Sequence, residues 1–172
     1  NEQFTINSNI DINKIFFMTN NLINIYNNLV NLSRNKNLYK SFTKADTFSD
    51  RLILLLFHFA FFLKIYSKEN DKKTLQDIYD YFFRQLELSI REIGYGDVSI
   101  NKKMKDYINT FHSIISKIEN WNNININKKN SIINSFLNIS DKPHNLAEYF
   151  DNYNKNLLNN SLNSFTKGVI KP

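Results

Sequence analysis

Three glycines and two prolines in 172 residues leave almost nothing from which to build the many tight turns of a sandwich or barrel. Helices joined by short polar loops are what such a chain can form. A hydrophobic fraction of 42%, with 15% aromatic residues, is well above that of chains too polar to collapse. At this length one continuous core can be buried, and two independent ones with linkers cannot. The expectation is an all-α, single-domain, compact bundle of about six helices over residues 1–172.

Apolar spacing places those helices. A first, from about Ile12 to Leu32, carries Ile15, Phe16, Leu22, Ile23, Tyr26, Leu29 and Val30 on one stripe. A second, from about Ser49 to Tyr66, is apolar nearly all round and belongs at the bundle's centre. Thr74, with Asp77 three residues on, resembles the cap of a third helix whose inward face is Leu75, Ile78, Tyr79, Phe82, Leu86 and Ile90. The fourth steps from a cap at Ser99 through Met104, Tyr107, Ile108, Phe111, Ile114, Ile115, Ile118 and Trp121. A fifth holds Ile132, Ile133, Phe136 and Leu137. Pro143 separates it from a sixth with Leu146, Tyr149, Phe150, Tyr153 and Leu157, and the tail Ser164 to Pro172 reads as irregular.

Several chemistries lack the residues they need. Cysteine is absent, which removes disulfides and thiolate chemistry. His58, His112 and His144 fall on three different segments, so no metal site is expected. Gly94-Tyr95-Gly96 lacks the third glycine, the preceding strand and the Lys-Ser/Thr ending of a phosphate loop. No serine sits in a Gly-x-Ser-x-Gly turn, and Glu87 and Glu92 diverge in angle around their helix. No enzymatic activity and no cofactor are expected. An enzyme acting on a small hydrophobic molecule would need an apolar pocket converging on His58 with an acidic neighbour. Without one, His58 reads as a core or partner-contacting histidine. The apolar run Leu52 to Leu63, about 12 residues, is too short to span a bilayer and reads as a buried helix. No signal peptide is visible at Asn1.

A net charge of +6 and a pI near 9.4 favour anionic surroundings such as a ribosome, a nucleic acid or an anionic membrane. Asparagine divides the chain: residues 41–119 hold three of the 30, and the flanks hold the other 27. Drift toward AT-rich codons loads tolerant positions with Asn, so the depleted centre is where function is to be sought. At that centre Gly94 fits the left-handed position that ends a helix, Gly96-Asp97 turns the chain into the next, and Ser99 caps it. The corner exposes Arg91, Tyr95, Asp97, Lys102 and Lys103.

The stretch Arg91-Glu92-Ile93-Gly94-Tyr95-Gly96-Asp97, followed by a basic helix start at Lys102 and Lys103, resembles the signature of the ubiquinol-cytochrome c chaperone family. Upstream, Asp46-Thr47-Phe48-Ser49-Asp50-Arg51, leading into the helix with His58, is similar to the family's Asp-Thr-Phe-x-x-Arg segment. Weaker similarity runs through Tyr26 and Leu38-Tyr39, and through Leu146-Ala147-x-Tyr149 to Lys167-Gly168-Val169. Asp50 stands where the family often has glycine, and Gln85 and Glu87 where it tends to have aspartate.

The resemblance implies a non-enzymatic, all-helical chaperone for assembly of the cytochrome bc1 complex, with newly made cytochrome b as client and the ribosome and inner-membrane surface nearby. Arg51, His58, Arg91, Tyr95, Asp97, Lys102 and Lys103 are its candidate partner-binding residues, and Gly94, Gly96 and Ser99 shape the junction. The setting is bacterial cytoplasm beside the inner membrane, or else the mitochondrial matrix face. Action alone, as a homodimer or with a small partner protein stays open. The alternative is a basic helical module binding ribosomal RNA, with no specific nucleic-acid sequence, or anionic lipid through Lys102, Lys103, Lys105, Lys128 and Lys129.

Overall fold

The computed structural model describes residues 12–40, 42, 48–137 and 145–166, which form seven α-helices and no strand. Asp46, Thr47, Pro143, His144, residues 167–172 and the side chains of Ile15 and Phe16 lie outside the described part. The helices are α1 (Ile12–Ser33), α2 (Phe48–Tyr66), α3 (Lys72–Glu92), α4 (Asp97–Ile118), α5 (Ile126–Phe136), α6 (Leu146–Leu158) and α7 (Leu162–Thr166). Short 3-10 turns occupy Lys36–Tyr39 and Trp121–Asn123.

α2 is the axis of the bundle, as its all-round apolarity requires: eleven consecutive residues, Leu52 to Phe62, are buried. Helices α1, α4 and α6 cover it directly. Against α4, Ser49 pairs with Tyr107, Phe59 stacks on Phe111 and Lys64 donates to the Ile118 carbonyl at 2.7 Å, so the two helices run parallel. Lys64 thereby places a cation at the negative end of α4. α6 is parallel to α2 as well, with Phe57 against Phe150, Phe61 against Tyr153 and Tyr66 donating to the Asn160 carbonyl. α3 runs antiparallel to both α2 and α4, its Phe82 stacking on Phe59 at 3.8 Å between ring centroids. This order puts the end of α3, the start of α4 and the start of α2 at one end of the bundle.

Two expected caps are displaced. Asp71, rather than Thr74, caps α3 by accepting from the Thr74 amide at 2.7 Å. α4 begins at Asp97 with Gly96 as an extended cap lacking a side chain, so Ser99 lies inside the first turn. Asp97 at the first helical position favours this earlier start, because its carboxylate meets the positive end of the helix. The expected irregular tail is helical as far as Thr166: α7 buries Phe165 against Phe62 and Tyr66. No helix among the described residues is long and apolar enough to cross a membrane.

Candidate partner-docking corner

The corner between α3 and α4 is built by one unusual backbone angle and a set of exposed side chains. α3 ends with the Gly94 amide donating to the Arg91 carbonyl at 2.9 Å. Gly94 takes φ +102°, a conformation costly to any residue with a Cβ. Gly96 has an ordinary extended φ of −74°, and a Cβ added there would meet nothing within 4 Å. Nothing among the described residues therefore demands a glycine at 96, although serine, asparagine or aspartate would cap α4 better.

From Arg91 to Ser99 every residue is exposed, while the flanking Ile90 and Ile100 are fully buried. Three of these exposed residues are apolar or aromatic: Ile93 at 53%, Tyr95 at 39% and Val98 at 86%. Arg91 donates from Nη1 to Asp97 Oδ1 at 2.5 Å and from Nη2 to Glu87 Oε1 at 2.9 Å. Lys103 Nζ lies 4.5 Å from the Tyr95 ring centroid. Lys102 is exposed beside them. The corner thus presents an apolar and aromatic tip with a cationic margin, which suits protein docking better than catalysis.

The two sequence motifs meet here. Tyr107 of α4 pairs with Ser49 at the start of α2 and lies near Tyr95, so Phe48 and Arg51, both exposed, sit at the same end as the corner. Asp50 beside them is buried. Arg51, Arg91, Tyr95, Asp97, Lys102 and Lys103 accordingly share one end of the molecule. Sequence reasoning missed Glu87, whose spacing of four from Arg91 was the available signal. It also missed Ile93, which continues the inward spacing of α3 three residues past Ile90 but falls just beyond the helix's last residue, and Val98, which lies off the inward stripe of α4.

His58 stands apart as a correction. Its side chain is fully buried at the centre of α2, so a partner cannot touch it in this conformation. Its Nδ1 donates to the Leu54 carbonyl at 2.6 Å, which leaves Nε2 to accept from the Tyr149 hydroxyl, also at 2.6 Å. Tyr153 donates to the His58 carbonyl at 3.0 Å, and Tyr149, Phe150 and Tyr153 surround the ring. Burial pushes His58 down to about 4, partly opposed by the Leu54 carbonyl, so the ring is neutral near pH 7. Burial likewise raises Tyr149 and Tyr153, which keep their protons.

Both nitrogens of His58 are satisfied without a carboxylate, which removes the pairing an acid-base role would need. A surface groove of about 460 Å³ lies at the other end of the bundle, among Leu63, Lys64, Leu75, His112, Ile115 and Glu119, and does not include His58. No cluster of three or more His, Asp or Glu able to hold a metal occurs among the described residues.

Residues 40–120 match the family model of the Ubiquinol-cytochrome C chaperone. The resemblance carried by the two motifs is borne out over this segment, just under half of the chain. The match spans α2, α3, the corner and α4, and it coincides with the asparagine-poor centre. Neither the curated proteins nor the solved structures gave a significant match.

Proposed function

We propose that the chain is a non-enzymatic assembly chaperone for the ubiquinol-cytochrome c reductase (cytochrome bc1) complex and that it holds newly made cytochrome b. The observation that carries this reading is the family match over residues 40–120, whose two motifs converge on one end of the bundle. The α3–α4 corner is the docking surface: Ile93, Tyr95 and Val98 supply apolar contact, Lys102 and Lys103 a cationic margin, and the missing side chain at Gly96 lets a partner approach the backbone closely. Its place of action on this reading is the cytoplasmic face of a bacterial inner membrane, or the matrix face in mitochondria.

The test is deletion of the gene in an organism that makes the bc1 complex, with cytochrome b read by redox difference spectroscopy. Loss of cytochrome b relative to the other cytochromes is expected, and unchanged cytochrome b would overturn the proposal.

The alternative, a basic module for RNA or anionic lipid, draws on Lys102, Lys105 and Lys128, which are exposed. One lysine of that set is already paired within the chain, Lys129 with Asp151 at 2.9 Å. That engagement favours the docking reading.

A further inference from the structure

We propose that Arg91 is a strap across the α3–α4 hinge, setting the angle at which the corner presents its docking residues. The proposal rests on the corner being the docking surface only for its purpose; the strap itself is a property of the isolated chain.

Nine consecutive exposed residues, Arg91 to Ser99, separate two anchors that the core holds firmly, Ile90 and Ile100. None of the residues between them is buried in the core. Its backbone hydrogen bonds belong to one helix end or the other: Ile93 to Ile90 and Gly94 to Arg91 finish α3, and Ile100 to Gly96 opens α4. The segment also contains two glycines, the residues that restrict backbone rotation least. Left to its backbone, the corner is a hinge.

Side chains close it. The Arg91 guanidinium holds Glu87, one turn back on α3, through Nη2 at 2.9 Å and Nε at 3.3 Å. The same group reaches over the hinge to Asp97, the first residue of α4, at 2.5 Å. One planar fork thus ties the last turn of α3 to the first turn of α4, which a lysine, holding a single carboxylate at a time, does not reproduce.

With the strap closed, Ile93, Tyr95 and Val98 project in one fixed arrangement. With it open, the corner swings about Gly94 and Gly96 while the core beneath is undisturbed. An exposed ion pair contributes little to global stability, so its removal should loosen the corner locally and leave the bundle intact.

The test is amide hydrogen exchange followed by mass spectrometry on the purified full chain near neutral pH. Arg91→Met and Asp97→Asn should each speed exchange of the two hydrogen-bonded amides there, Gly94 and Ile100, by roughly two- to fivefold, and Arg91→Lys should fall between them and the parent. About 1 M NaCl should speed the same amides in the parent, because screening at that concentration acts within a few ångströms, and should leave Arg91→Met unaffected. Amides of α2 should not change. Unchanged exchange at Gly94 and Ile100 in either variant would overturn the strap, as would a parallel acceleration in α2, which would make Arg91 a general stabiliser. The salt titration keeps the test open if a variant fails to fold. A strap that fails here leaves cytochrome b dependence untouched, so the two proposals fail separately.

Discussion

His58 makes a quantitative prediction about acid stability. The ring is neutral and fully enclosed in the folded state, with a pKa lowered from 6.5 to about 4, while in the unfolded chain it titrates at its ordinary value. A depressed folded-state pKa means that the stability His58 contributes is complete above about pH 6.5 and is lost as pH falls toward 4. Within that window the unfolded chain binds about one proton more than the folded one, giving a slope of about 1.4 kcal/mol per pH unit and a total near 3 kcal/mol. The comparison is with a variant that differs at this group alone. His58→Gln serves, since its amide can still donate toward Leu54 and accept from Tyr149. Urea unfolding followed by circular dichroism at pH steps from 7 to 4.5 should show the parent losing roughly 2 to 3 kcal/mol more than the variant. Parallel stability profiles for the two proteins would refute the buried, neutral assignment.

The two corner glycines should separate cleanly. Gly94→Ala places a Cβ at φ +102° and should cost about 1 to 2 kcal/mol although nothing crowds the site, whereas Gly96→Ser, in extended geometry at the cap, should leave stability unchanged or raise it by a few tenths of a kcal/mol; chemical denaturation reads both. Phe59→Ala should cost about 4 kcal/mol by the same measurement, because its ring is stacked between Phe82 and Phe111 on two different helices that cannot both close the void.

The long elements were legible because their stripes are long. The steps from Met104 to Ile118 mark α4, and the unbroken apolarity of Leu52 to Leu63 marks the central helix, since only burial on all sides tolerates it. Helix starts were less legible because several residues within one turn can cap. Thr74 and Ser99 had the right chemistry, but the backbone entered the helix earlier, at Asp71 and Gly96. α7 escaped because five residues carry no period, and only the burial of Phe165 reveals it. Within the candidate site, the corner was visible from its glycines. The Arg91 contact across the hinge was not, because sequence spacing alone does not say which way α4 leaves the turn. His58 was placed on the right helix, but its hydrogen-bond partner Tyr149 lies ninety-one residues away.

The central claim, that the corner docks the client, is tested most directly by a substitution there that spares the fold. Val98 is 86% exposed, so Val98→Asp should leave thermal stability within about 0.5 kcal/mol of the parent. In cells lacking the native gene, the parent chain should restore cytochrome b in redox difference spectra, and Val98→Asp, present at equal abundance, should not. Full restoration of cytochrome b by Val98→Asp would contradict the account.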